Sequence, residues 1–198
     1  MTRRLVQLYV GLVLYGVSLA LMIRAELGLD PWDVFHQGVA DRLPLTFGQV
    51  VIVVGALVLL AWIPLRQRPG LGTISNVFVI GLAVDAALAV LPAPDPMVWR
   101  ITFLVSGVVL NGVATAAYIG ARLGPGPRDG LMTGLVARTG RSVRLVRTSI
   151  ELSVLASGWL LGGTVGLGTV LYAISIGPLV HVLLPLFTVP EGLELVSD

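Results

Sequence analysis

The sequence predicts an all-α integral membrane protein with six transmembrane helices. These helices form two inverted-topology three-helix repeats, each with a short re-entrant or interfacial helix. Composition, an internal duplication and the distribution of arginines lead to this prediction. Of 198 residues, 56% are hydrophobic and only 12% are charged, whereas soluble domains carry about 25% charged residues. A soluble fold of this length could not cover its surface with so few charges, so most classes of soluble enzyme are excluded.

The chain is an internal duplication. A shift of 96 residues aligns 4–91 with 100–187 without a gap, and 28 positions are identical, against roughly 9 expected by chance at this composition. Glycines and prolines match best, which indicates a repeated backbone path. We predict a single membrane domain over 1–198, with repeat 1 at 4–92, repeat 2 at 100–188 and a short cytoplasmic tail at 189–198. Since the first apolar run has an equivalent in mid-chain, we interpret it as a retained span and not as a cleaved signal peptide.

Each repeat contains three apolar runs. A transmembrane helix needs about 20 residues, and five of the six runs reach that length. The run at 148–162 is short unless its helix begins near Val143, which would bring Arg144 and Arg147 into the first turn. The six runs are 5–23, 47–65, 73–92, 101–121, 148–162 and 169–189.

A shorter helix lies between the first and second run of each repeat, at 31–43 and at 127–138. Asp30 is placed to cap the first of these helices, and Pro31 suits the first helical position. Trp32, Phe35, Val39 and Leu43 are spaced to share one helix face. Thirteen helical residues cover about 20 Å, which is too short to cross the hydrocarbon. Each short helix therefore lies in the interface or enters the membrane as a re-entrant half-helix.

The arginines determine the predicted topology. With three spans per repeat and a cytoplasmic N-terminus, ten arginines lie inside and only Arg24, Arg42 and Arg100 lie outside. If the short helices also crossed the membrane, the split would be eight against five, so the positive-inside rule favours three spans. An odd number of spans inserts the second repeat upside down and leaves both termini in the cytoplasm. Many transporters have this architecture, with a site between the repeats.

Three sequence stretches carry a resemblance to a known family. The run Gly28–Val34, the pair Gln37-Gly38 and the run Arg66–Thr73 resemble the bacterial YczE-like membrane proteins, which are related more distantly to the YitT group. The resemblance covers nearly the whole chain. It implies a protein of the bacterial cytoplasmic (inner) membrane and supports the predicted architecture without indicating a reaction.

Missing residue types exclude several kinds of chemistry. The chain has no cysteine, and all 13 basic residues are arginines. Disulfides, thiol nucleophiles, cysteine-ligated metals and lysine Schiff bases are therefore excluded. The two histidines, His36 and His181, are far apart in sequence and belong to no zinc-binding motif. We predict no catalytic residue, no cofactor and no metal site, and we expect no nucleic-acid partner because the net charge is only +2.

The short helices supply the first candidate residues for a solute or ion pathway. Asp33 and Asp129 occupy equivalent positions in the two repeats. Each carboxylate either accepts hydrogen bonds at its own helix start or faces an inward site. Arg128 takes the place of Trp32; it either pairs with Asp129 or lipid phosphate, or it holds an anion.

The remaining candidates lie mostly within the apolar runs. Asp85 and His181 are equivalent positions near the expected midplane, where ionisable groups are costly and often functional. They form either a proton relay or a structural pair. Glu151 either pairs with Arg147 one turn earlier or lines a cavity. His36 and Asn76 complete the set.

Two functional hypotheses follow. The first is a transporter or channel for an unidentified small solute, with its site at the interface of the repeats. The alternative is a membrane scaffold or accessory protein that assists a partner enzyme or assembly. An enzyme is not expected, because no nucleophile–base pair or metal cluster is recognisable. The expected partners are the lipid bilayer, a small solute and a second copy of the chain in a homodimer.

Overall fold

The structure, a computed structural model, describes residues 1–189. Within these residues the regular secondary structure is all helical, with no strand. The predicted all-α class is confirmed. Of the tail predicted at 189–198, all but Val189 lies outside the described residues. The helices are α1 (Thr2–Ala25), α2 (Pro31–Ala40), α3 (Phe47–Leu65), α4 (Leu71–Val90), α5 (Met97–Gly120), α6 (Pro127–Thr139), α7 (Val143–Leu160) and α8 (Leu167–Phe187).

Five of the described helices, α1, α3, α4, α5 and α8, are long and apolar enough to cross a membrane. The helix α7 has 18 residues but carries Arg144, Arg147 and Glu151, so composition alone does not mark it as a span. It begins at Val143, the start that the sequence requires for this run to approach span length. The structure thus supports an all-α membrane protein with five spans that are evident from length and composition.

The start of α2 is built as predicted. Asp30 is the N-cap, and its Oδ1 accepts hydrogen bonds from the backbone N–H groups of Trp32 at 2.8 Å and Asp33 at 3.1 Å. Pro31 occupies the first turn. The predicted end at residue 43 is wrong, because α2 ends at Ala40 and Leu43 lies in the following turn, 50% exposed. Pro44 disfavours helical backbone at the residue before it, so Leu43 does not extend the apolar face.

Glycines bring the long helices together. On the α1–α5 contact, Gly11 faces Tyr118 and Ala117, while its repeat equivalent Gly107 faces Met22. Gly16 lets α1 approach α4, and its equivalent Gly112 lets α5 approach α8. A side chain at any of these positions would separate the two backbones. The first helix of each repeat therefore packs on its counterpart and on the last helix of its own repeat.

The short helices pack on the other repeat. The helix α2 lies against α7, and α6 lies against α3. Under α6, the ring of Trp62 lies against Gly130, and its Nε1 donates to the carbonyl oxygen of Pro127 at 3.0 Å. Under α2, Gly38 lies against Gly158. Because each short helix packs on a long helix of the other repeat, the starts of α2 and α6 point toward the middle of the protein.

Two Gly-Leu-Gly-Thr stretches, at 70–73 and at 166–169, connect the two repeats. The N–H of Gly72 donates to the carbonyl oxygen of Leu123 at 2.7 Å, and the equivalent N–H of Gly168 donates to Leu27 at 2.7 Å. Gly28 and Gly124, next in the chain to those acceptors, have φ values of +111° and +124°. This backbone conformation favours glycine. These paired contacts recur at the 96-residue shift found in the sequence.

Candidate functional site

A cavity of about 460 Å³ lies where the starts of α2 and α6 meet, and all eight described helices contribute to its wall. The N-cap residues of the short helices, Asp30 and Gly126, are among its lining residues. Valine, isoleucine and leucine are as numerous on its wall as ionisable residues. The ionisable side chains on the wall are Tyr15, Asp30, His36, Tyr118, Arg128, Asp129, Arg147, Glu151, Tyr172 and His181.

Arg128, at the start of α6, binds the start of α2. Its guanidinium nitrogens lie 3.8 Å from Asp30 Oδ1 and 3.5 Å from Asp33 Oδ1. Its Cζ lies 4.9 Å from the centre of the Trp32 ring, which is a cation–π geometry. The structure thus gives Arg128 two carboxylates of the other repeat in place of the Asp129 or lipid phosphate considered from sequence.

Asp33 does not accept the hydrogen bonds at the start of its own helix, which was one of the two sequence interpretations. The free N–H groups at the start of α2 bond to Asp30, which leaves the Asp33 carboxylate for other partners. Its Oδ1 lies 3.0 Å from His36 Nδ1 one turn later. Asp30, Asp33 and His36 are all buried, with exposures of 2%, 0% and 1%. A carboxylate that accepts from Nδ1 fixes the imidazole as the Nδ1–H tautomer.

Burial governs the protonation of this cluster, which lies outside the five evident spans. Burial, reinforced by the charge of Asp33, raises the pKa of Asp30 to about 7. Burial also raises the pKa of Asp33, against the opposing charge of Arg128. Burial and the nearby guanidinium lower the pKa of His36, so the imidazole is neutral at physiological pH. The cluster therefore titrates at a carboxyl group and not at histidine.

Asp129, the residue after Arg128 in α6, is bound by α5. The hydroxyl of Tyr118 donates to its Oδ2 at 3.2 Å, and the backbone of Gly126 hydrogen-bonds to it. The contact with Gly126 is the helix-start bond considered from sequence, and the cavity wall also includes Asp129. The two interpretations of Asp129 are compatible in this geometry.

Glu151 and Arg147 form the predicted pair along α7. Arg147 Nε donates to Glu151 Oε1 at 2.8 Å, and both residues line the cavity. Glu151 therefore both pairs with Arg147 and lines the cavity, as the two sequence interpretations proposed separately. The side chains are 57% and 39% exposed, so this part of the wall is open.

Asp85 and His181 are not paired. Asp85 Oδ1 accepts from the N–H of Gly48 at 2.7 Å, and its Oδ2 accepts from the hydroxyl of Thr46, so it binds the start of α3. His181 lies on the cavity wall, as does Asn76. No hydrogen bond or ion pair joins Asp85 to His181 within residues 1–189. Similar depth in the membrane does not bring the two residues together, because Asp85 faces the start of α3 and His181 faces the cavity.

The two repeats differ where their last two helices meet. In repeat 1, α3 packs on α4, and a Cβ atom on Gly81 would lie 2.6 Å from the carbonyl oxygen of Gly48. In repeat 2, Arg144 takes the place of Gly48 and His181 takes the place of Asp85. Gly177 is the equivalent of Gly81, and a Cβ atom on it would meet nothing within 4 Å. In the described chain α7 and α8 make at most marginal contact. The cavity is therefore open between α7 and α8 and closed between α3 and α4.

Sequence reasoning missed Asp30 as a member of the site. It assigned Asp30 only the N-cap, which the structure confirms, and did not place it beside Arg128. A signal was present, because Trp32 and Arg128 are equivalent positions. The two residues contact each other, so Asp30, which lies near Trp32, is also a neighbour of Arg128.

The sequence matches one known protein family over most of its length. A family described as a family of unknown function, DUF6198, matches residues 2–185. The chain belongs to this YczE-like family. An uncharacterized protein of Haemophilus influenzae is 42% identical over 171 residues, covering 86% of this chain and 78% of the relative. The uncharacterized membrane protein YczE of Bacillus subtilis is 36% identical over 192 residues, covering 96% and 86%.

A further relative is more distant. The uncharacterized protein YyaS of Bacillus subtilis is 25% identical over 181 residues, covering 89% of this chain and 90% of the relative. No solved structure matches the chain. The resemblance to YczE-like proteins predicted from sequence is confirmed. With its apolar helices and a membrane-protein relative, the chain is a multi-pass membrane protein.

Proposed function

We propose that this protein is a transporter or channel for a small solute in the bacterial inner membrane, with its site in the cavity between two inverted repeats. The observation that carries the proposal is that the starts of two short helices meet in one interior cavity and place charged side chains there. Broken or short helices whose ends meet between repeats are the usual construction of transporter sites. The proposal assigns no catalysis to the chain.

The proposal includes α7 as a sixth span. Its 18 residues extend about 27 Å, close to the hydrocarbon thickness of about 30 Å. Arg147 and Glu151 neutralise each other and border the cavity, where ionisable groups in spans are tolerated. Six spans place both termini in the cytoplasm and make α2 and α6 re-entrant, each entering from its own side.

The packing difference between the repeats supports alternating access. In the proposed topology, the cavity lies toward the cytoplasmic side, where α7 begins and α8 ends. The contact of Gly48 with Gly81 closes the opposite side. If the repeats exchange these two arrangements, the same cavity opens outward. The structure then corresponds to an inward-open form.

The single-cysteine variants Ile150→Cys and Val54→Cys test this proposal, because the two residues are repeat equivalents that both line the cavity and the chain has no native cysteine. We expect a membrane-impermeant maleimide to label position 150 in inverted membrane vesicles, where the cytoplasmic side faces out. From the outer side of intact cells, position 54 should label only slowly, in the fraction of molecules that face outward, since α3 and α4 are closed in the form described here.

Leu152→Cys is the matched control on α7. Leu152 is 59% exposed, lies near the middle of α7 and does not line the cavity. In the proposed topology it faces lipid, so its cysteine should react only with a lipid-soluble reagent. Labelling of position 150 from neither side would show that the cavity holds no water path. That result would contradict transport and favour the scaffold function, in which polar side chains are buried between spans.

A further inference from the structure

Two buried carboxyl oxygens in the site have no hydrogen-bond partner. They are Oδ2 of Asp30 and Oδ2 of Asp33, and the two side chains are only 3% and 1% exposed. More than nine-tenths of buried polar groups in native proteins are hydrogen-bonded. Two such atoms on neighbouring side chains therefore indicate that a hydrogen-bonding group belongs between them.

The other oxygen of each carboxyl group is fully used. Oδ1 of Asp30 accepts from the first N–H groups of α2, and Oδ1 of Asp33 accepts from His36 and contacts Arg128. The two carboxyl groups also lie beside the same guanidinium, whose nitrogens are 3.8 Å from Asp30 Oδ1 and 3.5 Å from Asp33 Oδ1. A single proton on Oδ2 of Asp30, donated to Oδ2 of Asp33, would satisfy both remaining oxygens.

The local charges also favour a bound proton at this site. Two carboxylates and one guanidinium leave one net negative charge in a buried place, which is costly. The other helices packed on this site do not supply a second cation. The helix α3 has no ionisable residue, and Arg147 of α7 is paired with Glu151. The titratable side chains that face the pair are His36 of α2, Arg128 of α6, Tyr15 of α1 and Tyr172 of α8.

A proton fits this site better than a metal ion does. Hard metal cations take about six or more oxygen ligands, whereas no group of three or more potential metal-binding side chains occurs in the described chain. Two carboxylates in contact, by contrast, commonly share one proton. Asp30 also lines the cavity, so the proton has a route to solvent.

We propose that Asp30 and Asp33 form a proton-binding site that holds one proton between their Oδ2 atoms. Release sends the proton from Asp30 into the cavity and leaves two carboxylates, so the site changes from neutral to one negative charge. A positively charged solute in the cavity would favour that release. The coupling of the proton to solute movement rests on the proposed transport function, whereas the proton site itself does not.

Infrared spectroscopy of the purified full-length protein tests the proton site. We expect the carbonyl stretch of a protonated carboxyl group below neutral pH and its loss as pH rises. Asp30→Asn and Asp33→Asn should each remove the same band, since the remaining carboxylate pairs one-to-one with Arg128. Asparagine also keeps the N-cap of α2 and donates an amide N–H where the shared proton lay.

Asp41→Asn is the matched control, because Asp41 is an exposed residue at the end of the same helix. It should keep the band. A band removed by only one of the two site variants would show an ordinary protonated acid and overturn the shared site. A wild-type protein without the band below neutral pH would also overturn it, whatever the variants do. The infrared band does not depend on transport. Failure of the maleimide test would therefore contradict the proposed transport function without contradicting the proton site.

Discussion

Replacing Arg128 by glutamine is expected to lower the free energy of unfolding by about 3 kcal/mol at alkaline pH. Arg128 is the cation beside Asp30 and Asp33, and its removal leaves two buried carboxylates without a counter-charge. The loss should shrink as pH falls, because the raised pKa values of both carboxyl groups let them take up protons and become neutral. Thermal unfolding in detergent at several pH values measures the effect.

The same cluster supplies the rescue for this variant. Adding Asp33→Asn to Arg128→Gln removes one of the uncompensated carboxylates, so the double variant should recover part of the lost stability. Arg128→Lys keeps the charge but loses the planar contact with Trp32 and the forked donors, so it should fall between wild type and glutamine. Arg141→Gln, at an exposed position, is the control. An Arg128→Gln protein as stable as wild type at alkaline pH would contradict the charge cluster.

Replacing Trp62 by alanine is expected to cost about 3–5 kcal/mol and to release α6 from α3. The side chain is 2% exposed and fills the space over Gly130, while its Nε1 donates to Pro127. Trp62→Phe removes the hydrogen bond, worth about 1 kcal/mol, and part of the ring that contacts Gly130, so its cost should lie between that value and the cost of alanine. Both values follow from thermal or denaturant unfolding of the purified protein.

Trp159→Ala is the control for this prediction. The side chain of Trp159 is 65% exposed, so its loss should change stability little in detergent. If both alanine variants were equally stable, α6 would not depend on Trp62 for its position. The start of α6 carries Arg128, so its position decides whether the charge cluster can form.

Helix positions were predictable because periodicity and capping are local properties. The start of α2 at Pro31 with its Asp30 cap, and the start of α7 at Val143, follow from a few neighbouring residues. The end of α2 was predicted wrongly. The apolar face that includes Leu43 favoured a longer helix, whereas Pro44 disfavours helical backbone at Leu43. The glycine contacts between long helices were also predictable, as equivalent glycines recur in both repeats.

The partners of the charged residues were not predictable in the same way. Arg128 contacts Asp30 and Asp33, which lie nearly a hundred positions away, and Asp85 binds the start of α3 instead of His181. Such pairs depend on how helices cross, which sequence spacing does not contain. The unequal contacts of α3–α4 and α7–α8 have a visible local cause, because Arg144 in repeat 2 replaces Gly48 in repeat 1.

The central claim, that the two repeats exchange an open and a closed arrangement, is tested most directly by disulfide formation in native membranes. A Cβ atom on Gly55 would lie 3.6 Å from the Cβ of Val77, a separation that suits a disulfide. Cysteines at 55 and 77 should therefore cross-link α3 to α4. The equivalent positions, Glu151 and Ala173, lie on α7 and α8, which are apart in this structure. We predict that cysteines at 151 and 173 also cross-link, in the fraction of molecules that face outward. Efficient cross-linking of the first pair with none of the second would contradict the account.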